Sequence, residues 1–345
     1  MSSTRSSSST TYGADALRFT LAAQAAQGRN IRLSDARVEG YRNFGTKLWN
    51  AARFCEMNGC KPDAAFDPAK AASTLNRWIV HEANECAAAV TAELEAYRFN
   101  EAAGAIYKFI WNVFCDWYLE LAKPVLQGAD SAEKTEMRAA AAWALDRIVT
   151  LLHPFMPFIT EEIWGAFASR GALMTTAWPV YDKKLANAEA AAELGWVVDL
   201  ISGVRSVRQE MNVPVAAKIP LVFVGGEADQ ARLMRHEEVI MRLARLSEMT
   251  ASTAAPKGAV QIVIGSAIAA LPVADFIDIA AEKSRLAKEK DKAEKEIAGI
   301  DKKLANKNFV DRAPPEVVEE QHSRREGYAA QLEKLNAALA RLKDL

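Results

Sequence analysis

Cysteine is scarce, and its spacing does not suit a metal site. The four thiols are Cys55, Cys60, Cys86 and Cys115. No C-x-x-C occurs, and nothing near Cys55 and Cys60 completes a tetrahedral zinc site. They are read as four reduced thiols of a cytoplasmic protein. The four histidines (His81, His153, His236, His322) are scattered, with no H-E-x-x-H. The glycine-rich phosphate loop, the dinucleotide fingerprint and the G-x-S-x-G elbow are all missing. No catalytic residue, metal or cofactor is therefore expected in this chain. No run of 18 apolar residues exists, so no membrane span is expected, and the Ser-rich N-terminus lacks the apolar core of a signal peptide. Charge excess is missing too: 43 Lys+Arg stand against 44 Asp+Glu, a net of -1. That excludes a uniformly basic coat on nucleic acid and leaves room for local basic faces.

What is present is helix pattern, in a chain of 345 residues, half of them apolar. That length suits two or three domains. All eight tryptophans fall between Trp49 and Trp196, so the large aromatic core belongs to the first 200 residues. From Ser34, a candidate N-cap, Val38, Tyr41, Gly45, Leu48 and Ala52 step by three or four, as one helix face does. A second helix is predicted from about Ser73 to Leu94. A third carries Ala103, Ile106, Ile110, Val113, Trp117 and Leu121, and Lys123-Pro124 should end it. A fourth is predicted from about Ala132 to Leu152, stopped by His153-Pro154, and a fifth from Thr160-Glu161-Glu162. Short connections make these an antiparallel bundle. The segment His153-Pro-Phe-Met-Pro157 is read as a structural corner.

The pattern changes near Glu189. One more helix should reach Met211. Lys218–Val224 then reads as a strand, with Pro220 suggesting a sheet edge. A helix should follow to about Leu246. Val260–Ile264 and Ala267–Leu271 read as two strands joined at Gly265-Ser266, a hairpin signal. Beyond them, Leu286, Lys290, Ala293, Ile297, Ile300 and Leu304 keep heptad spacing. After Ala313-Pro314-Pro315, so do Val318, Gln321, Arg325, Tyr328, Leu332, Leu335, Leu339 and Leu342. Two heptad helices on a short turn predict an antiparallel coiled-coil hairpin. From Ser284 to Asn308 it carries eight basic and five acidic residues, a net of +3. That face is either an ordinary solvated surface or a basic arm for phosphates.

Three clusters are candidate nucleic-acid contacts. On the helix from Ser34, Asn43, Lys47, Asn50 and Phe54 project away from the apolar stripe, with Arg42 and Arg53 on the flank. Cations suit phosphate, amides suit base edges, and a ring suits stacking. Phe54 has a second reading, as a ring packed on a neighbouring helix. Arg205, Arg208 and Lys218 form another basic cluster, for which surface salt bridging is the alternative. Asp116, Glu120 and Lys123 read as an intrahelical salt-bridge set rather than an acid–base pair.

Several stretches resemble valyl-tRNA synthetases of bacteria: Tyr12-Gly-Ala-Asp-Ala-Leu-Arg-Phe19, Gly40-Tyr-Arg-Asn-Phe44, Lys47-Leu-Trp-Asn-Ala-Ala-Arg-Phe54, Phe114-Cys-Asp-Trp-Tyr-Leu-Glu-Leu-Ala-Lys123 and His153-Pro-Phe-Met-Pro-Phe-Ile-Thr-Glu-Glu-Ile-Trp164. Synthetases for isoleucine and leucine share some of these. Arg205-Ser-Val-Arg-Gln-Glu-Met-Asn-Val-Pro214, Phe276-Ile-Asp-Ile279 and Asn308-Phe-Val-Asp-Arg-Ala-Pro-Pro-Glu-Val-Val318 resemble the valine family specifically. The resemblance runs from Thr11 to Leu345.

It implies a mainly α chain: a leader over 1–11, a connector over 12–33 from a missing catalytic core, an anticodon-binding helical bundle over 34–188, a small α/β module over 189–275 and a coiled-coil tRNA-binding arm over 276–345. By the same resemblance, Arg42, Asn43, Lys47, Asn50, Arg53 and Phe54 would meet the anticodon stem and loop. Arg205, Arg208 and Lys218 would meet the tRNA backbone. Arg285, Lys288, Lys292, Lys295, Lys302 and Lys303 would meet the tRNA elbow. The implied partner is tRNA, valine-specific, with no DNA and no membrane, held by a monomer. The intact enzyme would use ATP to attach valine; this chain would bind tRNA without catalysis. A stand-alone tRNA-binding factor and a coiled-coil scaffold are the other functions considered. The leader has a reading of its own. A family-type linker, Asn-Val-Val-Asp-Pro-Leu-Glu-Leu-Ile-Asp, in ordinary GC-rich codons read from the second base, yields all ten residues Met1–Thr10, as an out-of-frame start would.

Overall fold

A computed structural model describes residues 11–26, 31, 33–277, 279–306, 309 and 315–343. Nearly all of the leader, and the Ala313-Pro314 turn, lie outside the described residues. The chain divides into two compact units, Met1–Leu194 and Gly195–Leu345.

The first unit is helical: α1 (Ala14–Ala23), α2 (Asp35–Met57), α3 (Thr74–Glu95), α4 (Phe99–Lys108), a π-helical segment (Phe109–Tyr118), α5 (Leu119–Gln127), α6 (Ala132–Leu152) and α7 (Pro157–Phe167). Its core is aromatic. Phe19, fully buried, lies 4.8 Å from Tyr41, 5.3 Å from Phe44 and 6.0 Å from Phe155 between ring centres. These spacings fall in the range where tilted and edge-on rings attract. The corner at residues 153–157 is structural as expected, with Phe155 and Met156 buried and His153 Nδ1 2.8 Å from Thr160 Oγ1.

Two helix starts are capped by carboxylates from other helices. Glu136 of α6 accepts from the N–H groups of Ala72 (2.9 Å) and Ser73 (3.0 Å) and from Asn76 Nδ2 (2.8 Å) at the head of α3. Asp15 of α1 accepts from the N–H groups of Phe158 (3.3 Å) and Ile159 (2.7 Å) at the head of α7. Each places a negative charge on unsatisfied donors at a positive helix end. Burial pushes the Glu136 carboxyl up. The bonds from Asn76, Ser73 and Ala72 outweigh it and hold the group below its ordinary value.

Helix α2 ends at Gly59, whose φ of +75° suits glycine. The N–H of Cys60 bonds to Cys55 O (2.9 Å) and that of Gly59 to Glu56 O (3.0 Å). This helix-ending motif brings its third-last and second-following side chains together. Here they are the buried thiols Cys55 and Cys60. A mutual hydrogen bond raises the Cys55 thiol and lowers the Cys60 thiol. All four cysteines are free.

Two expectations for this unit fail. The third helix does not stop at Lys123-Pro124 but runs to Gln127 with Pro124 inside its last turns, where a missing N–H frees one carbonyl rather than breaking a long ladder. The fifth helix starts at Pro157, not Thr160, because proline suits the first helical position and Asp15 supplies the acid from another element.

The second unit holds most of α8 (Ala188–Glu210), then β1 (Ile219–Val224), α9 (Glu227–Arg235), α10 (Glu237–Ala244), β2 (Leu246–Ala251), β3 (Val260–Ile264), β4 (Ala267–Leu271), α11 (Ile279–Ala305) and α12 (Pro315–Lys343). The sheet order is β2-β1-β4-β3, with β1 parallel to β2 and both other pairings antiparallel. Strand β1 is therefore central, against the edge position expected from Pro220. Its ladder to β2 is irregular between Ile219 and Leu221, and its ladder to β4 uses only 222–224. The missing proline N–H falls in that break.

The helix expected to reach about Leu246 is instead two helices, α9 and α10, and the strand β2 that follows them was not expected. Helix α8 lies close on the sheet: a Cβ at Gly203 would sit 2.8 Å from Ile262 Cγ2, so only glycine fits there without a shift. The hairpin at Gly265-Ser266 forms in the expected register, Ile264 opposite Ala267. Helices α11 and α12 pair with each other, burying Leu286, Ala293, Ile300, Gln321 and Leu335 along the heptad seam. The whole is mainly α with a small mixed sheet, as expected. Among the described residues no helix is long and apolar enough to cross a membrane.

Candidate nucleic-acid interface

Helix α2 buries Val38, Phe44, Gly45, Leu48, Ala51, Ala52 and Cys55. Asn43, Asn50 and Arg53 face solvent, as their spacing predicted. Lys47 and Phe54 fall on the flank, beside the π-helical segment and α5. The Lys47 ammonium sits 3.7 Å from the centre of the Trp111 ring and 2.5 Å from Asp116 Oδ1. A cation over a tryptophan face and against a carboxylate is held twice. Asp116 thus pairs with another helix, not within the set Asp116–Glu120–Lys123 expected from its spacing. Glu120 and Lys123 do pair with each other. Phe54 is half-buried, with the Lys123 ammonium 5.8 Å from its ring centre. One part of this ring rests on the protein, and the other is open to solvent.

Arg42 lies 3.5 Å from Glu39 and 3.4 Å from Asn43 Oδ1, and Arg53 lies 3.7 Å from Glu56. These are exposed pairs of small individual worth. Burial pushes the nearby Cys115 thiol up to about 12, against the pull of Lys47, so it is no nucleophile at neutral pH. Nothing local marks Trp111 or Lys123 as part of this face; Lys47 and Asp116 are 69 residues apart.

The second cluster separates. Arg208 is a buried guanidinium, not a surface one. Its Nη2 donates to Pro214 O (3.1 Å) and Ala217 O (2.8 Å), and its Nη1 to Arg245 O (3.4 Å). It holds the turn after α8 by its carbonyls, which is neither of the roles expected from sequence. Arg205 is exposed, and its Nε donates to Leu243 O (3.0 Å). Lys218 is exposed and lines a different hollow, with Glu237, Glu238, Arg242 and Arg245. Arg245 lies beside Arg205 and Arg208 and was missed, because the chain after α10 brings it to the end of α8 from a distant position in the sequence.

On α11, Arg285 pairs with Glu289 (2.6 Å) and Lys295 with Asp291 (2.6 Å). Lys288, Lys292, Lys302 and Lys303 are exposed, and no ion pair engages them among the described residues. A two-helix arm has no third layer to supply partners, so its outward lysines stay solvated. No group of three or more His, Cys, Asp or Glu side chains could hold a metal among the described residues.

Comparison with known proteins names these parts. A family profile described as the anticodon-binding domain of tRNA ligase matches residues 76–223. A second, the valyl tRNA synthetase tRNA binding arm, matches residues 278–343. The chain carries the anticodon-binding domain and the tRNA-binding arm of a valyl-tRNA synthetase. Relatives agree. The valine–tRNA ligase of Nitrobacter winogradskyi is 51% identical over 361 residues, covering 96% of this chain and 38% of that protein. That of Caulobacter vibrioides is 52% identical over 336 residues, covering 96% and 37%. This chain therefore spans less than two-fifths of the length of its valine–tRNA ligase relatives.

Among solved structures, the ternary complex of Agrobacterium radiobacter K84 agnB2 LeuRS with tRNA and LeuAMS overlaps with a TM-score of 0.41 at 17% identity, over 71% of this chain and 29% of that one. Within the valyl-tRNA synthetase frame, the arm profile takes in α11 and α12 together. The anticodon-binding profile opens inside α3, so α2 and its face lie ahead of the matched stretch.

Proposed function

We propose that this chain holds valine-specific tRNA for a valine–tRNA ligase, a cytoplasmic enzyme whose remaining length joins valine to tRNA with ATP. The observation that supports this best is the succession, on one chain, of an anticodon-binding match and a tRNA-binding-arm match. The exposed lysines of α11 suit the second. In this reading the face of α2 meets the anticodon loop: Asn43 and Asn50 offer amides to base edges, Phe54 offers the open part of its ring to an unpaired base, and Arg42 and Arg53 meet phosphates. The arm meets the outside of the tRNA by charge alone. The chain works as a monomer, without a cofactor of its own.

Filter binding of valine tRNA and of a non-cognate tRNA at about 0.1–0.2 M salt tests this. Tighter binding of the valine tRNA is expected. Equal binding of both would leave a general tRNA-binding part and remove the specificity. No binding of either would favour a coiled-coil scaffold. In a second assay, valine-dependent exchange of pyrophosphate into ATP by this chain alone would overturn the assignment of chemistry to the remaining length.

A further inference from the structure

The end of helix α2 sets two thiols against each other, and the tRNA-binding reading makes no use of them. Cys55 and Cys60 hold the two positions that the helix-ending motif brings together, where an apolar pair is common. The backbone bond from Cys60 N to Cys55 O is 2.9 Å. With ordinary covalent geometry, a bond of that length leaves the two Cα atoms no more than about 6.8 Å apart. A disulfide spans about 4.4–6.8 Å between Cα atoms. Both side chains are buried and hydrogen-bond to each other, so the sulfur atoms face one another.

The two thiols are unequal. The bond from Cys55 lowers the Cys60 thiol; burial opposes it, and the charge of Arg138 adds to it. The same bond and burial raise Cys55. Arg138 reaches across from α6. Its Nε donates to Asn58 O (2.7 Å), and a Cβ built at Gly59 would sit 3.4 Å from that Nε. Asp130, 3.7 Å from Arg138 Nη1, is exposed and offsets little of the charge. Burial pushes Cys86 and Cys115 up to about 12. Of the four thiols, Cys60 thus has the most thiolate character. Its neighbours Gly59 and Lys61 are exposed, so fraying of the helix end admits a molecule little larger than water.

We propose that Cys55 and Cys60 form a peroxide-oxidised pair that closes to a reversible disulfide at the end of α2. The Cys60 thiolate attacks one oxygen of hydrogen peroxide. The O–O bond breaks, the other oxygen leaves as hydroxide, and it takes up the proton that Cys60 gave. Cys60 is then a sulfenic acid. Cys55 attacks the Cys60 sulfur, the S–O bond breaks, and the hydroxide departs as water with the proton of Cys55. In sum, two thiols lose two electrons and two protons, and one peroxide is reduced to two waters. A dithiol reverses the bridge by exchange through a mixed disulfide. Such transient bridges are the kind that a reducing compartment tolerates.

The test treats the full, folded chain with hydrogen peroxide, removes the oxidant with catalase, alkylates in denaturant and digests with trypsin. Cys55 and Cys60 share the peptide from Phe54 to Lys70, because trypsin does not cut between Lys61 and Pro62. That peptide should become lighter by two hydrogens. Its alkylation should fall about ten-fold while Cys86 and Cys115 stay alkylated, and dithiothreitol should restore it. Sulfoxide on the exposed Met57 adds mass and is told apart. Cys55→Ala should stop at a sulfenic acid on Cys60, trapped by dimedone. Cys60→Ser should leave Cys55 open to alkylation. Should either variant lose its helical circular dichroism, the peptide of the unaltered chain decides alone. Full alkylation of that peptide after peroxide, with the bridge appearing only once urea unfolds the chain, would overturn the proposal. A bridge from either residue to Cys115 would overturn it too. A sulfenic acid on Cys55 in the Cys60→Ser chain, as abundant as that on Cys60 in Cys55→Ala, would overturn the assigned roles.

Discussion

The face of α2 and the face of α11 carry similar residues and use them in opposite ways. On α2, Lys47 is caught between Trp111 and Asp116, while Arg42 and Arg53 lean on Glu39 and Glu56. On α11, Lys288, Lys292, Lys302 and Lys303 stand in solvent, with no ion pair among the described residues. The difference follows from the number of layers. In a bundle each flank meets another helix, and a cation brought partly out of water needs partners. In a two-helix hairpin only the seam is covered. One region therefore offers a shaped, held surface, and the other a diffuse charge.

The sharpest way to break that contrast is to neutralise the arm. Replacing Lys288, Lys292, Lys302 and Lys303 together with Gln should lower tRNA affinity on the order of 100-fold at low salt. It should reduce the log–log salt slope by about 3, at about 0.7–0.9 of a counterion released per phosphate. Affinity that falls without any change in slope would mean that the arm acts by shape. Next in size, Phe54→Ala should weaken cognate tRNA about ten-fold or more, since stacking on one base is worth about 1–3 kcal/mol, and should leave the salt slope alone. A sharp drop in melting temperature with unchanged affinity would make the ring purely a packing group.

Smaller effects sharpen the same comparison. Lys47→Ala should cost about 1 kcal/mol of stability, through the lost cation–ring contact and the stranded Asp116, and change tRNA affinity less than about three-fold. Uniform loss across all tRNAs at an unchanged melting temperature would show that the ammonium leaves Trp111 for a phosphate. The smallest effect concerns the capping carboxylate. The Glu136 carboxyl is held below its ordinary value when folded, so it stabilises above the usual glutamate range of about 4.3. That contribution fades as pH falls through the folded value. Glu136→Ala should lower stability by about 1 kcal/mol at neutral pH, and the gap to the unaltered chain should close in acid. A gap independent of pH would mean that the cap works without its charge.

The bundle's helices were legible where apolar spacing and stop signals agreed. The helix at Ala132–Leu152 begins and ends where its pattern does, because proline and capping residues act within a turn or two. The start of α7 was misplaced because its acid comes from Asp15, 143 positions from Phe158. The strand β2 was missed because Leu246–Ala251 exposes most of its residues and offers no alternating face. At the candidate sites, the residue types on α2 and α11 were readable, and their state of engagement was not.

By itself the sequence determined the mainly helical class, the hairpin at Gly265-Ser266 and the heptad pairing of α11 with α12. Each rests on spacings of two, three or four residues, which backbone geometry turns directly into a face or a turn. Only the tertiary structure decided that Pro220 sits in a central strand at a break in its ladder. Only it decided that Arg208 is buried on carbonyls while Arg245 shares its hollow, and that Lys47 is held while Lys288 is not. Those outcomes depend on groups far apart in the chain arriving at one place. Whether a charge there stays available is set by desolvation and by the partners that arrive with it, and residue type and spacing do not encode either.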